Sequence, residues 1–144
     1  MPSLELDNLV KIGSLKSEAG SQDEFDGLME AARTRLTDSK NVALALESRF
    51  DLAYNASHAI ALAALRWHGY RSTNRYIVFQ VLPHTLGLKS SVWRVLASAH
   101  GIRNSGEYEG LLEIDAQLVT DLVAAAEMAY SATKALGPVK PAKR

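Results

Sequence analysis

The feature that most constrains the fold is a stretch from Asn41 to His68 that contains neither glycine nor proline. Apolar residues recur along it at spacings of three and four, the period of one face of an α-helix. Asn41 can cap the first turn, and Gly69 ends the stretch. We therefore predict a long central helix over 41–68, with an apolar face made of Val42, Leu46, Phe50, Ala53, Ser57, Ile60, Ala64 and Trp67.

Capping signals predict further helices around this central one. Ser21-Gln22-Asp23-Glu24 is a capping box, in which the serine and the glutamate can each satisfy a free backbone donor. Gly137-Pro138 ends the last helix, and no stretch has a convincing alternating strand pattern. The sequence predicts an all-α, up-and-down bundle of about five helices. The predicted capping residues, in chain order, are Ser21, Asn41, Ser72 or Thr73, and Asp115, while Ser90 or Ser91 is predicted to start the fourth helix.

The glycine, serine and proline content divides the chain into three parts. Residues 1–20 are expected to form a lead-in with at most one or two helical turns, 21–137 the helical bundle, and 138–144 a small basic tail. A chain of 144 residues can bury one sizeable core and is short for two ordinary domains. One domain is therefore expected.

Charge and cysteine content narrow the function classes. Because 16 Lys and Arg balance 16 Asp and Glu, any phosphate contact must come from a local patch rather than a global field. The absence of cysteine excludes disulfides, thiolate metal sites and cysteine nucleophiles, and it fits a reducing compartment. Acidic residues near the start do not suit a signal peptide, and no apolar run approaches a membrane span. We expect a soluble cytoplasmic protein that does not engage a membrane.

The common cofactor motifs are missing from the sequence. It has no P-loop, dinucleotide glycine fingerprint, HExxH pair or EF-hand acid ladder. The histidines at 58, 68, 84 and 100 are too scattered to form a recognisable metal site. We therefore expect neither a metal nor a cofactor.

Arg103 is an unusual charge because it continues an apolar face. Val92, Leu96, Ala99 and Arg103 recur at spacings of three and four on the predicted fourth helix. A guanidinium between helices can bind phosphate or carboxylate. The same side chain can instead pair with Glu107 one turn later, or bind the carbonyls at the end of its helix. Spacing alone leaves these three interpretations open.

Three short motifs, taken in order, resemble the HEPN superfamily (higher eukaryotes and prokaryotes nucleotide-binding). They are the run Ser48-Arg49-Phe50-Asp51-Leu52-Ala53-Tyr54-Asn55-Ala56-Ser57-His58, then Gly69-Tyr70-Arg71, and finally Arg103-Asn104-x-x-x-Tyr108. The resemblance covers roughly 21–136. It implies a bundle of about four or five helices, usually dimeric, with a hallmark Arg-x4-6-His motif. Many relatives are metal-independent ribonucleases or partners of minimal nucleotidyltransferases in toxin–antitoxin pairs, and others are non-catalytic.

The resemblance also implies roles for individual residues. Arg103 would steady a phosphate, while a histidine would move protons during attack by the ribose 2′-hydroxyl. Here Tyr108 stands where that histidine is expected, and no histidine follows it. A phenol is a poor general base at neutral pH. His100, one turn before Arg103, is a possible substitute, so the candidate catalytic residues are Arg103, Tyr108 and His100.

Polar residues that match the family's motifs are candidate binding residues. They are Arg49, Asp51 and Asn55 on the central helix and Asn104 beside Arg103. Asp51 and Asn55 share a helix face, so we expect one of them to orient Arg103. Tyr54 is assigned to the core, with one satisfied hydroxyl.

The absent histidine and the balanced charge favour a binding role over catalysis. We expect a catalytically degenerate HEPN-like protein that acts as a homodimer, or as the partner of a nucleotidyltransferase or an RNA-related regulatory protein. The alternative is a metal-independent ribonuclease of the toxin type that uses Arg103 with Tyr108 or His100. A positive, concave groove containing Arg103 would favour an RNA site.

Overall fold

The computed structural model describes residues 4–109 and 114–140, and the side chains of 105–109 lie outside that description. The described part of the chain is mostly helical, as predicted, with seven helices and one small ribbon. Four helices are long and three are short, so the long ones make the frame of the fold. The elements are α1 (Leu4–Lys11), β1 (Leu15–Ser17), α2 (Gln22–Ser39), α3 (Leu46–Trp67), β2 (Tyr70–Ser72), α4 (Arg75–Gln80), α5 (Leu82–Thr85), α6 (Ser90–Glu109) and α7 (Ala116–Lys134).

Helix α3 is the centre of the bundle, and α2 and α7 pack along it. Its Phe50, Ile60 and Ala64 are fully buried, as are several of its other alanines. Because an alanine adds only a methyl group, helix backbones can approach α3 closely on more than one side. The apolar face predicted for the central helix is thus the core of the fold, and it fixes which side chains are left to face α4 and α6.

The predicted start of the central helix is wrong. Helix α3 begins at Leu46, and Ala45 precedes it without a side-chain cap. The Oδ1 atom of Asn41 accepts a hydrogen bond from the Ala43 amide at 3.0 Å, so this side chain closes a local turn instead of capping α3. Val42, predicted to face the core, is 84% exposed. Residues 41–45 therefore connect α2 to α3.

Strands β1 and β2 form a small antiparallel ribbon that the sequence did not predict. Leu15 pairs with Ser72, and Ser17 pairs with Tyr70. Because each strand has three residues, neither is long enough to show a period of two. Ser72 belongs to the ribbon, so the predicted cap of the short helix is also wrong. Asn74 caps α4 instead, its Oδ1 accepting from the Ile77 amide at 3.0 Å.

The other predicted helix starts agree with the structure. Ser21 Oγ accepts from the Glu24 amide at 3.3 Å at the start of α2, and Asp115 Oδ1 accepts from the Leu118 amide at 2.7 Å at the start of α7. Within 1–20, Leu6 and Leu15 are buried in the main core cluster, so the described part of the lead-in packs against the bundle. Across the described ranges no helix combines the length and apolar character needed to span a membrane.

Candidate functional site

Helices α3, α4 and α6 bring seven polar and aromatic side chains together. Asp51, Tyr54 and His58 recur along one face of α3, because spacings of three and four return to the same side of a helix. The side chains that meet there come from positions distant in sequence, and we refer to them as the Arg103 cluster. Its members are Asp51, Tyr54, Arg75, Tyr76, His100, Arg103 and Asn104.

The central ion pair of the cluster joins Arg103 on α6 to Asp51 on α3. Arg103 Nη1 donates to Asp51 Oδ1, and the two side chains are 27% and 43% exposed. This is the contact expected of Asp51 or Asn55 from their shared helix face. Asn55 takes no part in it: its Nδ2 donates to the Asp51 backbone carbonyl at 2.9 Å. Asp51 therefore orients Arg103 from the neighbouring helix, and the Glu107 side chain lies outside the described residues.

His100 has both ring nitrogens in hydrogen bonds. Its Nδ1 lies 3.0 Å from the hydroxyl oxygen of Tyr54, and its Nε2 lies 3.1 Å from Nδ2 of Asn104. With this amide orientation Asn104 donates to Nε2, so the neutral ring carries its proton on Nδ1 and donates to Tyr54. Tyr54 is 2% exposed, as a core tyrosine with a satisfied hydroxyl should be. Its hydroxyl also sets the orientation of an imidazole one turn before Arg103.

Aromatic rings surround the His100 imidazole. Tyr76 stacks on it at a centroid distance of 5.0 Å and an interplanar angle of 22°. Phe79 lies 6.0 Å away in a tilted arrangement and is fully buried, whereas Tyr76 is 41% exposed. The His100–Tyr76 stack therefore presents an aromatic surface at the edge of the cluster, where a further planar group can stack.

Two arginines lie against the Tyr54 ring. The guanidinium carbon of Arg75 is 5.9 Å from the ring centroid and that of Arg103 is 6.0 Å from it, both within cation–π range. Arg75 is exposed, and among the described residues it has no ion-pair partner. Since Asp51 offsets one of the two cations, the described side chains of the cluster carry a net positive charge. A local positive charge of this kind is what a phosphate contact would require in a chain of balanced overall charge.

A concave pocket adjoins the cluster and shares Arg75 with it. It has a volume of about 250 Å³ and is lined by His58, Leu62 and residues 71–75. The His58 ring packs edge-on against Phe79 at a centroid distance of 6.0 Å. Burial lowers the pKa of His58 to about 4, and the positive charge of Arg75, together with that of His100 when its imidazole is protonated, acts in the same direction. His58 is therefore a neutral wall of this pocket at pH 7.

A buried ion network supports the far side of the pocket. Arg66 is 3% exposed and pairs with Glu24 at 2.8 Å and with Glu18 at 3.2 Å. Arg71, which lines the pocket, pairs with the same two carboxylates at 2.7 and 3.1 Å. Burial opposes ionisation of Glu24, but hydrogen bonds from Arg66 and Arg71 hold its pKa below the usual value. The two arginines and two glutamates balance, so Arg71 adds no net charge to the pocket.

The remaining predicted site residues lie elsewhere or outside the description. Arg49 Nε donates to the Ser39 carbonyl at 2.8 Å, which ties the start of α3 to the end of α2. Tyr108 belongs to α6, but its side chain is outside the described residues. Within the described ranges, no group of three histidine, aspartate or glutamate side chains is placed to hold a metal ion.

Arg75 and Tyr76 are the members of the cluster that sequence reasoning missed. They follow Asn74, the true cap of α4, so they occupy the first two positions of that helix. With Asn74 recognised as the cap, the sequence would have placed an arginine and a tyrosine in the first turn of a short helix, where side chains are often exposed and able to bind a ligand. The incorrect cap prediction at Ser72 or Thr73 prevented this assignment.

No protein-family model, no curated protein and no solved structure matches this chain. What the Arg103 cluster can bind and do follows from its own chemistry. It offers two guanidinium groups, an exposed stacking surface and an oriented imidazole within one small region.

Proposed function

We propose that this chain is a HEPN-like helical domain that binds single-stranded RNA at the Arg103 cluster without cleaving it. The observation that carries the proposal is the position of two arginines beside the exposed His100–Tyr76 stack. Guanidinium groups bind phosphate oxygens, and exposed aromatic rings stack on unpaired bases. A single strand offers both groups side by side, whereas a duplex keeps its bases stacked on each other.

The ion pair with Asp51 suits a binding role for Arg103. Because the carboxylate already orients the guanidinium, less side-chain entropy is lost when a ligand binds to Arg103. Asp51 is 43% exposed, so water already solvates the pair, and a phosphate can approach the cluster at modest cost. The second cation, Arg75, adds attraction for the strand without a competing carboxylate among the described residues.

The resemblance to the HEPN superfamily supplies the rest of the proposal. The chain then acts in the cytoplasm as a homodimer, as the partner of a nucleotidyltransferase, or in an RNA-related regulatory system of the toxin–antitoxin kind. Tyr108 in place of the motif's histidine supports loss of catalysis. A homodimer is tested by sedimentation of the pure protein across a concentration series, where a mass that stays at one chain contradicts it.

Fluorescence anisotropy with a labelled single-stranded RNA oligomer tests the binding site. We expect Arg103→Gln to weaken binding at least several-fold, and Tyr76→Ala to cost about 1–3 kcal/mol, the usual value of one base stacked on an aromatic ring. Arg94→Gln is the matched control, because Arg94 lies on the same helix and its guanidinium carbon is likewise in cation–π range of an aromatic ring, 5.7 Å from the Trp93 centroid. It precedes Arg103 by nine residues, two and a half turns, and so projects from the opposite side of α6. Equal losses in all three variants, or no binding by the parent protein, would refute the proposal.

The alternative function is a metal-independent ribonuclease with His100 as the base. The observation in its favour is the imidazole held by Tyr54 and Asn104 one turn from Arg103. His100 would take the proton of a ribose 2′-hydroxyl, whose oxygen attacks the adjacent phosphorus. The bond to the 5′-oxygen breaks and that oxygen takes up a proton, which leaves a 2′,3′-cyclic phosphate and a 5′-hydroxyl.

A cleavage assay separates the two functions. Pure protein is incubated with labelled RNA in the presence of a chelator, alongside Arg103→Ala and His100→Ala. Binding without cleavage supports the first proposal. Cleavage that both substitutions abolish, with cyclic phosphate ends, supports the ribonuclease instead; cleavage retained in His100→Ala eliminates His100 as the base.

A further inference from the structure

The pocket beside the cluster has an uneven distribution of charge. Of its two arginines, Arg71 is paired with Glu18 and Glu24, while Arg75 has no ion-pair partner among the described residues. Within the part of the chain that the structure describes, no acidic side chain lines the pocket. The pocket is thus a concave surface with one uncompensated positive charge.

The polar groups around this charge are hydrogen-bond donors as well as acceptors. Ser72 contributes a hydroxyl from the end of β2, and Asn74 uses its Oδ1 to cap α4, so its amide nitrogen remains a donor. Leu62 and the neutral His58 supply the walls on α3. A volume of about 250 Å³ is below the ~300–1,000 Å³ of sites for drug-sized ligands, but it accommodates a phosphate group with part of a ribose.

We infer that this pocket is a second phosphate subsite of the RNA-binding surface, with Arg75 as its cation, next to the one at Arg103. The inference rests on the proposed RNA binding, and it adds the path that the bound strand takes across the surface. It predicts that the strand passes from Arg103 over the His100–Tyr76 stack toward the end of β2.

The distance between the two cations fits such a path. Arg75 and Arg103 lie 5.9 and 6.0 Å from the same Tyr54 centroid, so their guanidinium carbons are at most about 12 Å apart, the sum of the two distances. This is the scale of neighbouring nucleotides on one strand. Tyr76 follows Arg75 directly and stacks on His100, which lies one turn before Arg103, so the exposed ring belongs to the same small region as the two cations. One short strand can therefore contact both arginines and the aromatic stack.

Salt dependence of RNA binding distinguishes this subsite from general attraction. Each phosphate contact on a single strand contributes about 0.7 to the slope of log affinity against log salt concentration. We expect Arg75→Gln to lower the slope by about 0.7 and to weaken binding several-fold, Arg75→Lys to keep the slope, and Arg94→Gln to change neither. Arg75 is exposed, so the substitution should leave the fold intact, which thermal unfolding verifies.

A second measurement uses the unaltered protein and does not depend on a variant folding. Phosphate bound beside Arg75 brings negative charge to the pocket, so saturating inorganic phosphate should raise the pKa of His58 measured by NMR titration of its ring, relative to chloride at equal ionic strength. Two other ionisable groups are close enough to matter for this titration: Arg71, which also lines the pocket, and His100, whose charge acts on His58. In Arg75→Gln the effect of phosphate should disappear.

The outcomes separate the two proposals. If the parent protein binds no RNA, the proposed function fails. If it binds RNA and Arg103→Gln weakens binding, but Arg75→Gln leaves affinity and slope unchanged or phosphate leaves His58 unmoved, RNA binding stands and the second subsite is overturned. A loss of slope in Arg75→Gln together with a His58 response confirms the subsite.

Discussion

Replacing Arg66 by methionine should destabilise the fold far more than removing a surface arginine. The guanidinium of Arg66 is 3% exposed and donates to the backbone carbonyls of Glu18, Ala19 and Tyr70 at 2.8 to 3.1 Å, besides its ion pairs. Methionine retains part of the apolar stem but leaves these acceptors without their donor.

The size of the effect follows from the state of the remaining groups. Removing one partner of a buried ion pair costs about 3–5 kcal/mol. Arg71 still neutralises Glu18 and Glu24 in the variant, which favours the lower end, so we expect ~3 kcal/mol. For a domain of this size that corresponds to a fall of roughly 10 °C in Tm.

Urea unfolding followed by far-UV circular dichroism measures this loss. The matched control is Arg33→Met, because Arg33 pairs with Glu30 on the surface, where the side chains are 56% and 63% exposed. Water screens such an exposed pair, so we expect Arg33→Met to change the free energy of unfolding far less than Arg66→Met does. A loss below ~1 kcal/mol in Arg66→Met, or equal losses in the two variants, would refute the view that the buried network holds the start of the chain against α3.

Further predictions concern packing, pH and capping. Gly20→Ala should lower the free energy of unfolding in urea by about 1–3 kcal/mol, because a Cβ there would lie 2.7 Å from the Arg66 carbonyl oxygen. Gly27→Ala has open space around its Cβ and should instead stabilise α2 by about 0.5–1 kcal/mol. Equal changes in unfolding free energy for the two variants would count against the close approach at Gly20. The pKa of His58 is lowered from 6.5 to about 4, so the unfolded chain takes up this proton first and stability falls as the pH drops from 6.5 to 4. The full shift corresponds to ~3 kcal/mol, and since His58 is partly exposed we expect a loss of ~2 kcal/mol. This loss should be absent from His58→Asn when unfolding free energies are compared across that pH range, and a parallel pH dependence of the two proteins would contradict it. Asp115→Ala should lower stability by ~1 kcal/mol through loss of the α7 cap, whereas Asn41→Ala should lower it by only a few tenths of a kcal/mol because Asn41 caps no helix. If thermal unfolding gave the larger loss for Asn41→Ala, the assignment of Asp115 as a cap and Asn41 as a turn residue would be wrong.

The parts of the fold that the sequence predicted are those set by local chemistry. A serine or aspartate three residues before a free amide identifies a helix start, and this was right at Ser21 and Asp115. It failed at Asn41 because the same side chain can close a turn two residues on, and spacing does not distinguish the two uses.

The candidate site was predictable only in part because its contacts cross between helices. Arg103 and Asp51 were both identified, each from the side of its helix on which it lies. Arg75 and Tyr76 were not, because their part in the site depends on where α4 packs against α3 and α6. Nor does a period of three or four indicate that Arg66, near the end of α3, is buried against residues 18–24.

The ribbon has a consequence for the order of folding. Helices α2 and α3 are neighbours in sequence and can pair early, whereas Leu15 must wait for Ser72 across the whole α2–α3 hairpin. Closing so long a loop has an entropic cost that the three residues of each strand do little to repay. We therefore expect β1 to dock after the helices have assembled and to open before they separate. Since β2 contributes Arg71 and Ser72 to the wall of the pocket beside the Arg103 cluster and leads into residues 73–75, we expect this wall to be completed last during folding and to be the first part lost in partial unfolding.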